Sequence, residues 1–455
     1  MSKSLISVLT ANIINLMLGL VNSFVLPKYL SVETYASIKT FALYASYSGV
    51  FHLGYCDGMY LKYGGKNLED VKGKLGSSIS GIVCLSLFWT VLIAIVAVLL
   101  RNYLLLAFAL GLTASNVIDY YKLLYQAVGE FKAYGNALNL QKAILLLLDL
   151  FLIFIFSVRG DKLYIVIRIF VPTVVAIWLG FLLNHKTPFV ANRRFSILEI
   201  KDNISNGFIL MIGNFSTNLL TGIDRWFVSI LMSATDFAMY AFAVSVENIV
   251  NAFITPITVS MYNFFCRNRD DKRYRSTKNM ALLWGFVVIA AAYPVKYMLS
   301  SWLNNYENAN NVVFLLFAAQ AFQVVIKGIY VNIYKANQQQ NKYLKQMIMM
   351  LILAIVLNVI VYNVFGSIAS IAVATLITNI VWLIICEIDG KSIRFNTKEY
   401  VVIILLLSVY LYTGFYVNPF LGLLTYTISG ISVVMIFMKE TLADVLSIVR
   451  NVIRV

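Results

Sequence analysis

Two carboxylates and five basic side chains fall inside long apolar stretches of this chain. Asp149 stands in LLLLDLFLIF and Glu247 in AFAVSVENIV. The basic residues are Lys39, Lys142, Arg168, Lys296 and Lys327. A charge in a membrane segment costs about 2.5–3.5 kcal/mol on insertion scales, so each such residue is a functional candidate by default. Carboxylates at that depth suit ion coupling, and basic groups suit contact with an anionic cargo.

The elements that must position these residues are apolar stretches of about twenty residues, each long enough to cross a hydrocarbon core of ~30 Å as a helix. We count fourteen, at approximately 5–26, 35–54, 79–100, 103–118, 137–157, 163–184, 205–224, 237–260, 281–301, 311–332, 346–364, 366–386, 400–417 and 419–438. The chain is 60% hydrophobic and 13% charged, against roughly 25% charged in a soluble domain. The sequence therefore predicts an all-α, polytopic membrane protein.

The basic residues also predict the orientation. Of the 36 Lys and Arg residues, 26 fall on the side of the termini, 5 on the other side and 5 within spans. Because Lys and Arg collect in cytoplasmic loops, we expect both termini in the cytoplasm. The net charge of +15 then reflects topology and not binding to nucleic acid.

Several kinds of chemistry are excluded by what the polar segments lack. None is longer than about 25 residues, and the chain has neither a GxxxxGK[ST] phosphate loop nor an HExxH metal motif. The four cysteines are scattered without metal-ligand spacing. We expect no enzyme activity, no metal site and no cofactor other than a coupling H+ or Na+.

The chain contains a weak internal echo. The segment LSVETYASIKTFALY (30–44) resembles SATDFAMYAFAVSVE (233–247), about 205 residues later. Six spans separate the two segments, so they have the same orientation. This predicts parallel repeats related by an axis along the membrane normal, although chance similarity between apolar sequences is the alternative.

Further motifs carry a resemblance to a known family. They are FVLPKYLSVETYA (24–36), FHLGYCDGMYLKY (51–63), YYKLLYQAVGEFKAYGNA (120–137), TGIDRWFVS (221–229), AMYAFAVSVENIVNAFITPITVSMYNFF (238–265) and IYVNIYKANQQQNKY (329–343). In this order the chain resembles the Wzx-type O-antigen and polysaccharide flippases of the multidrug/oligosaccharidyl-lipid/polysaccharide (MOP) exporter superfamily. It departs from many relatives at FCRN (265–268), where they carry a proline-containing stretch.

The resemblance implies an N-terminal lobe at 1–190, a C-terminal lobe at 191–390 and two peripheral helices with a tail at 391–455. It also implies a cavity between the lobes that opens alternately to the two sides of a bacterial cytoplasmic membrane. The cargo of such proteins is an oligosaccharide on undecaprenyl pyrophosphate, moved to the periplasmic leaflet with an ion gradient. Expected partners are this lipid-linked oligosaccharide, membrane lipids and, in the same pathway, a polysaccharide polymerase and a chain-length regulator.

A charged head group needs a wet, cationic path through the membrane, and this assigns roles to the buried residues. Arg168, Lys39, Lys327 and, through TGIDRW, Arg225 are the candidate cargo contacts. The alternative for the basic residues is snorkelling, in which a long side chain carries its charge to the headgroups.

The carboxylates Glu247, Asp149 and Asp224 are the candidates for ion coupling, and structural hydrogen bonds between helices are their alternative. Pro172 and Pro256 are candidate hinges, because proline interrupts the hydrogen bonding of a helix. A static kink is the alternative for both prolines.

Three other functions stay open. A drug/cation antiporter of the same superfamily would favour an acidic cavity, whereas the spans here hold more basic than acidic residues. A glycan polymerase or ligase would need a sizeable outer loop, and the longest outer joint, near 225–236, is about a dozen residues. A peptidoglycan-precursor flippase is close in mechanism to the leading hypothesis.

Overall fold

The computed structural model describes residues 3–187, 196–267 and 271–444, and in these ranges it consists of helices and short connections. Side chains at some helical positions, 252–260 among them, lie outside the described set. The candidate hinge Pro256 is one of these, and only its position on the helix Ala234–Arg267 is described. The chain divides into two compact units, Met1–Leu219 and Leu220–Val455.

The first unit contains eight α-helices in its described residues. They are α1 (Lys3–Tyr29), α2 (Val32–Ala45), α3 (Tyr55–Tyr63), α4 (Leu68–Leu99), α5 (Tyr103–Ala127), α6 (Phe131–Phe154), α7 (Asp161–Lys186) and α8 (Ile197–Leu220), the last ending at the boundary. Helix α5 packs against α2, α3, α4, α6 and α7, and α1 packs against α6. The core around α5 includes Tyr55, Leu75, Tyr120 and Val175, all fully buried.

The predicted second span, 35–54, is interrupted. Helix α2 ends at Ala45, a short 3₁₀ turn covers Ser48–His52, and Leu53 and Gly54 both have positive φ, at 50° and 83°. A left-handed residue ends a helix because its amide no longer points along the axis, and glycine adopts this conformation without steric cost. The chain therefore restarts as a separate helix, α3.

Helices α3 and α8 touch through their backbones. A Cβ at Gly58 would lie 1.9 Å from the carbonyl oxygen of Asn203, and one at Gly207 would lie 2.0 Å from that of Gly54. Nearby, Lys62 Nζ donates to Asp202 Oδ2 at 2.7 Å, and this hydrogen bond and charge hold the pKa of the Asp202 carboxyl below its ordinary value. The glycines let the two helices approach closely.

The second unit contains ten α-helices in its described residues. They are α9 (Ile223–Leu231), α10 (Ala234–Arg267), α11 (Asp271–Ile289), α12 (Ala292–Ser301), α13 (Asn310–Val325), α14 (Val331–Ala336), α15 (Gln340–Phe365), α16 (Ile368–Asp389), α17 (Thr397–Tyr416) and α18 (Pro419–Phe437). Helix α13 is its core: every residue of Val312–Val325 is buried, and α10, α11, α16 and α17 pack around it. A wider π-helical turn, Ile326–Tyr330, joins α13 to α14.

The two segments of the internal echo start helices in the same way. Ser31 Oγ accepts the Thr34 N–H at 3.2 Å at the start of α2, and Ser233 Oγ accepts the Asp236 N–H at 3.1 Å before α10. Such N-caps satisfy amides that have no partner within the helix. The tyrosines that follow in each segment, Tyr35 and Tyr240, are fully buried.

Each of the fourteen predicted spans coincides with a helix or an interrupted run of helices. Within the part of the chain that the structure describes, nine helical stretches are long and apolar enough to cross a membrane. The helical, multi-pass membrane fold predicted from the sequence is thus confirmed. Helix α8 groups with the first unit, whereas the sequence divides the lobes at 190; that division and the one at 390 stay predictions.

Candidate functional site

The two candidate residues of opposite charge in the first unit form a buried ion pair. Arg168 on α7 faces Asp149 on α6 with both nitrogens of its fork, Nη1 to Oδ1 at 3.0 Å and Nη2 to Oδ2 at 2.8 Å. Their side chains are 9% and 1% exposed. Bidentate charge-assisted hydrogen bonds of this kind are strong and directional. Asn22 on α1 adds a longer contact to Asp149 Oδ2 at 3.5 Å.

Helix α7 carries a proline one turn after Arg168. Pro172 is buried inside the helix, and a proline cannot donate to the carbonyl four residues earlier, which here belongs to Arg168. The Arg168 guanidinium in turn donates to the Tyr164 carbonyl oxygen at 2.8 Å. Lys39 on α2 lies 5.1 Å from the Tyr35 ring centre and interacts electrostatically with Asp149. The structure thus pairs Arg168 with Asp149 directly and places Lys39 near enough to interact with the same carboxylate.

In the second unit, Asp224 joins three helices. Tyr240 on α10 donates to Asp224 Oδ2 at 2.6 Å, and Thr375 on α16 lies 3.5 Å from the same oxygen. Its neighbour Arg225 donates from Nη2 to the Thr221 carbonyl oxygen at 3.3 Å. Arg225 Nε is buried and has no hydrogen-bond acceptor among the described residues, so one cationic donor is left for another group.

Glu247 sits on α10 opposite the core helix α13. Gln320 donates from Nε2 to Glu247 Oε1, which is the interhelical hydrogen bond that the sequence left as the structural alternative. The carboxylate also interacts electrostatically with Asp224, Arg225 and Lys327. Lys327 is half-buried in the π-helical turn, and turns of this type are frequent at functional sites. The candidate cargo and ion-coupling residues of the second unit are thus Glu247 and three charged groups near enough to interact with it electrostatically.

The two other basic residues of the spans lie apart from these clusters. Lys296 Nζ donates to the carbonyl oxygens of Gly414 and Val417 at 2.6 and 2.8 Å. A cation in this position complements the C-terminus of α17, where carbonyls lack partners in the helix. Lys142 on α6 is exposed.

Sequence reasoning missed a buried ion pair in the second unit. Lys278 on α11 donates to Glu387 Oε1 on α16 at 3.0 Å, and the two side chains are 0% and 1% exposed. Tyr330 also donates to this carboxylate, and the Phe395 N–H donates to its other oxygen at 2.5 Å. Lys278 is the last residue of a basic stretch between two predicted spans, CRNRDDKRYRSTK, and nothing in that pattern distinguishes it from its neighbours.

A polar pocket in the first unit was missed as well. Its volume is about 310 Å³, and its lining includes His52, Asp57, Asp119, Lys122 and Asn214. The sequence signal was present, because Asp57 and His52 stand in the motif FHLGYCDGMYLKY. By the predicted spans, His52 lies at the end of the second span and Asp57 in the loop that follows, so neither is predicted to be a site residue.

The described residues contain no group of three or more His, Cys, Asp or Glu side chains that could hold a metal ion. The carboxylates of the clusters can bind protons or monovalent cations, and their Arg and Lys side chains can bind anions.

The sequence matches no protein-family model and no curated protein. Among solved structures, the chain is similar to the lipid II flippase MurJ in an inward closed conformation, with a TM-score of 0.72, 17% sequence identity and coverage of 96% of this chain and 99% of that one. It also matches an outward-facing multidrug resistance transporter of the MATE family of the MOP superfamily, with a TM-score of 0.49, 12% identity and coverage of 86% and 94%. The chain therefore has the fold of the flippase MurJ over nearly its whole length.

Proposed function

We propose that this protein is a flippase that moves an oligosaccharide on undecaprenyl pyrophosphate from the cytoplasmic to the periplasmic leaflet of a bacterial inner membrane by alternating access. The observation that carries the proposal is the fold likeness to a lipid II flippase over nearly the whole of both chains. The order of the Wzx-like motifs along the sequence supports the narrower choice of an O-antigen or capsule repeat unit as cargo.

The charged clusters supply the physical means. An anionic head group crossing a membrane needs fixed positive charge and water in place of hydrocarbon. Arg225, with its unused Nε donor, and Lys327 are proposed to contact the pyrophosphate. Arg168 and Lys39 would contact the pyrophosphate when the ion pair between Arg168 and Asp149 separates.

Glu247, Asp224 and Asp149 are proposed to couple cargo movement to a gradient of H+ or Na+. A carboxylate that shares its surroundings with a basic group can exchange that partner for a cation, and this links ion binding to helix movement. Glu247 interacts electrostatically with both Asp224 and Arg225. The polymerase and the chain-length regulator of the pathway are proposed partners.

A second candidate cargo is lipid II itself, which the fold likeness to MurJ favours. The two candidates share undecaprenyl pyrophosphate and differ in the attached sugars and peptide. They can therefore be separated by competition between two substrates in one assay.

The test is reconstitution of the full chain in liposomes with fluorescent undecaprenyl-pyrophosphate oligosaccharide or fluorescent lipid II in both leaflets. Flipping is measured as the fraction of fluorophore that an impermeant quencher reaches. We expect faster exchange of the oligosaccharide than of lipid II, and acceleration by an imposed H+ or Na+ gradient. Faster exchange of lipid II would identify lipid II as the cargo instead. If neither lipid exchanges faster than in protein-free liposomes, flippase activity is refuted.

A further inference from the structure

The polar pocket of the first unit lies where α3, α5 and α8 meet the break between α2 and α3. Its lining combines side chains from all four places in about 310 Å³. This is at the lower end of the volumes of small-molecule sites, roughly 300–1,000 Å³. The pocket thus suits one compact polar group. Neither residue of the ion pair on α6 and α7 lines it.

The charges of the lining leave one carboxylate in excess. Asp119 forms an ion pair with Lys122 one helical turn later on α5. Asp57 is 7% exposed, and Asn214 on α8 donates to its Oδ1 at 3.2 Å. An amide donor does not neutralise a carboxylate, so the lining keeps a net charge of about −1 with histidine neutral.

The lining also offers a fixed donor. The Gly54 N–H donates to His52 Nδ1 at 3.2 Å. A neutral imidazole that accepts at Nδ1 carries its proton on Nε2, so the buried His52 ring offers Nε2–H as a donor. Carboxylate and amide acceptors beside such a donor match the alternating donor and acceptor character of hydroxyl groups.

Two aromatic rings complete the lining. Tyr47 and Phe215 both line the pocket and pack edge to face with ring centres 6.1 Å apart. Rings of this kind provide an apolar surface beside polar groups. A pyranose ring has the complementary pattern, because its hydroxyls point outward while its C–H groups form an apolar face.

We propose that this pocket binds one pyranose ring of the lipid-linked cargo and selects a neutral or amino sugar over a uronic acid. This inference rests on the proposed flippase function and adds a sugar preference to it. Asp57 accepts hydrogen bonds from hydroxyl or amine groups and repels a sugar carboxylate. Selection by repulsion of the wrong ligand is a general route to specificity.

The glycine contacts between α3 and α8 fix the geometry of this pocket. Gly58 follows Asp57 directly, and its Cα hydrogen side faces the Asn203 carbonyl so closely that no Cβ fits. The same contact holds α8 in place, with Asn214 opposite Asp57. The pocket walls are therefore set by backbone packing and do not depend on flexible side chains alone.

The experiment measures binding of three probes to the full chain in nanodiscs by native mass spectrometry. The probes are undecaprenyl pyrophosphate alone, the same lipid bearing one N-acetylglucosamine, and the same lipid bearing one glucuronic acid. We expect the N-acetylglucosamine probe to bind most tightly. In Asp57→Asn the preference for it over the glucuronic acid probe should fall roughly ten-fold, the equivalent of one charge-assisted hydrogen bond.

Glu69→Gln is the matched control, because Glu69 is exposed and pairs with Lys72 away from the pocket; its preference should equal that of the wild type. If Asp57→Asn does not fold, Asn218→Asp, at an exposed position of the lining, should increase rejection of glucuronic acid. Equal binding of the two sugar probes to the wild type, or an unchanged preference in the folded variants, overturns the sugar pocket. Failure of all three probes to bind would instead refute the proposed flippase function.

Discussion

The buried pair of Arg168 and Asp149 gives the sharpest test of the structure. In Arg168→Met the Asp149 carboxylate, 1% exposed, loses both charge-assisted bonds and keeps Asn22 at 3.5 Å. Leaving one buried charge without its partner costs about 3–5 kcal/mol, and we expect the upper part of this range. In Asp149→Leu the guanidinium keeps the Tyr164 carbonyl oxygen at 2.8 Å, so we expect a loss nearer about 3 kcal/mol.

The double variant Arg168→Met/Asp149→Leu should recover most of the loss, because replacing a buried ion pair by apolar side chains of similar volume is often neutral or stabilising. The assay is equilibrium unfolding in mixed micelles, followed by tryptophan fluorescence. Lys162→Met is the control, since Lys162 is exposed on the same helix and should stay within about 0.5 kcal/mol. Single variants as stable as the control, or a double variant that shows the sum of both losses, would refute the buried pairing.

The same variants separate stability from transport. If Arg168 also contacts the cargo, the stable double variant should still show slow flipping in liposomes and reduced polysaccharide at the cell surface. Normal flipping by a stable double variant would assign the pair to packing alone.

Three further predictions follow from other contacts. Glu247→Gln keeps a polar group for Gln320 but removes the charge, so flipping in liposomes should lose its acceleration by an ion gradient; retained acceleration would make Glu247 a packing residue. Lys278→Met should lower unfolding free energy by about 3–5 kcal/mol by stranding the buried Glu387 carboxylate, and a shift under 1 kcal/mol in chemical unfolding would contradict this. Gly207→Ala should push α8 from α3, because its Cβ would lie 2.0 Å from a carbonyl oxygen; we expect lower protein abundance in membranes, and wild-type abundance with unchanged melting would count against the contact.

Much of the fold was predictable because a membrane-spanning helix appears in the sequence as a long apolar run. In hydrocarbon every backbone amide must find its partner within the segment, so a long apolar run becomes a helix whatever its neighbours are. The fourteen apolar stretches therefore predicted where helices lie. The interruptions of the helices were harder to predict. Leu53 and Gly54 interrupt the second stretch because both have positive φ, and an isolated glycine in an apolar sequence does not predict such a break.

The sequence predicted which residues are candidates, but it did not predict which residues they contact. Depth in an apolar stretch identified Arg168, Asp149 and Glu247 as costly and therefore significant. Their partners lie on other helices: Arg168 and Asp149 pair across the consecutive helices α6 and α7, whereas Glu247 is bound by Gln320, 73 positions later. Lys278 shows the converse, because it lies outside the predicted spans and is nevertheless fully buried.

The sequence by itself determined the environment of the chain, the positions of its helices and the charges carried within them, because these follow from apolar length and from the cost of charge in lipid. Only the tertiary structure decided which of those charges meet. Helix packing selects neighbours through contacts such as the glycine surfaces of α3 and α8, and the rotation of each helix about its axis decides whether a carboxylate faces arginine, glutamine or an open pocket. The partners lie 19 positions apart for Arg168 and Asp149, 73 for Gln320 and Glu247, and 157 for Asn214 and Asp57, and no local pattern encodes them.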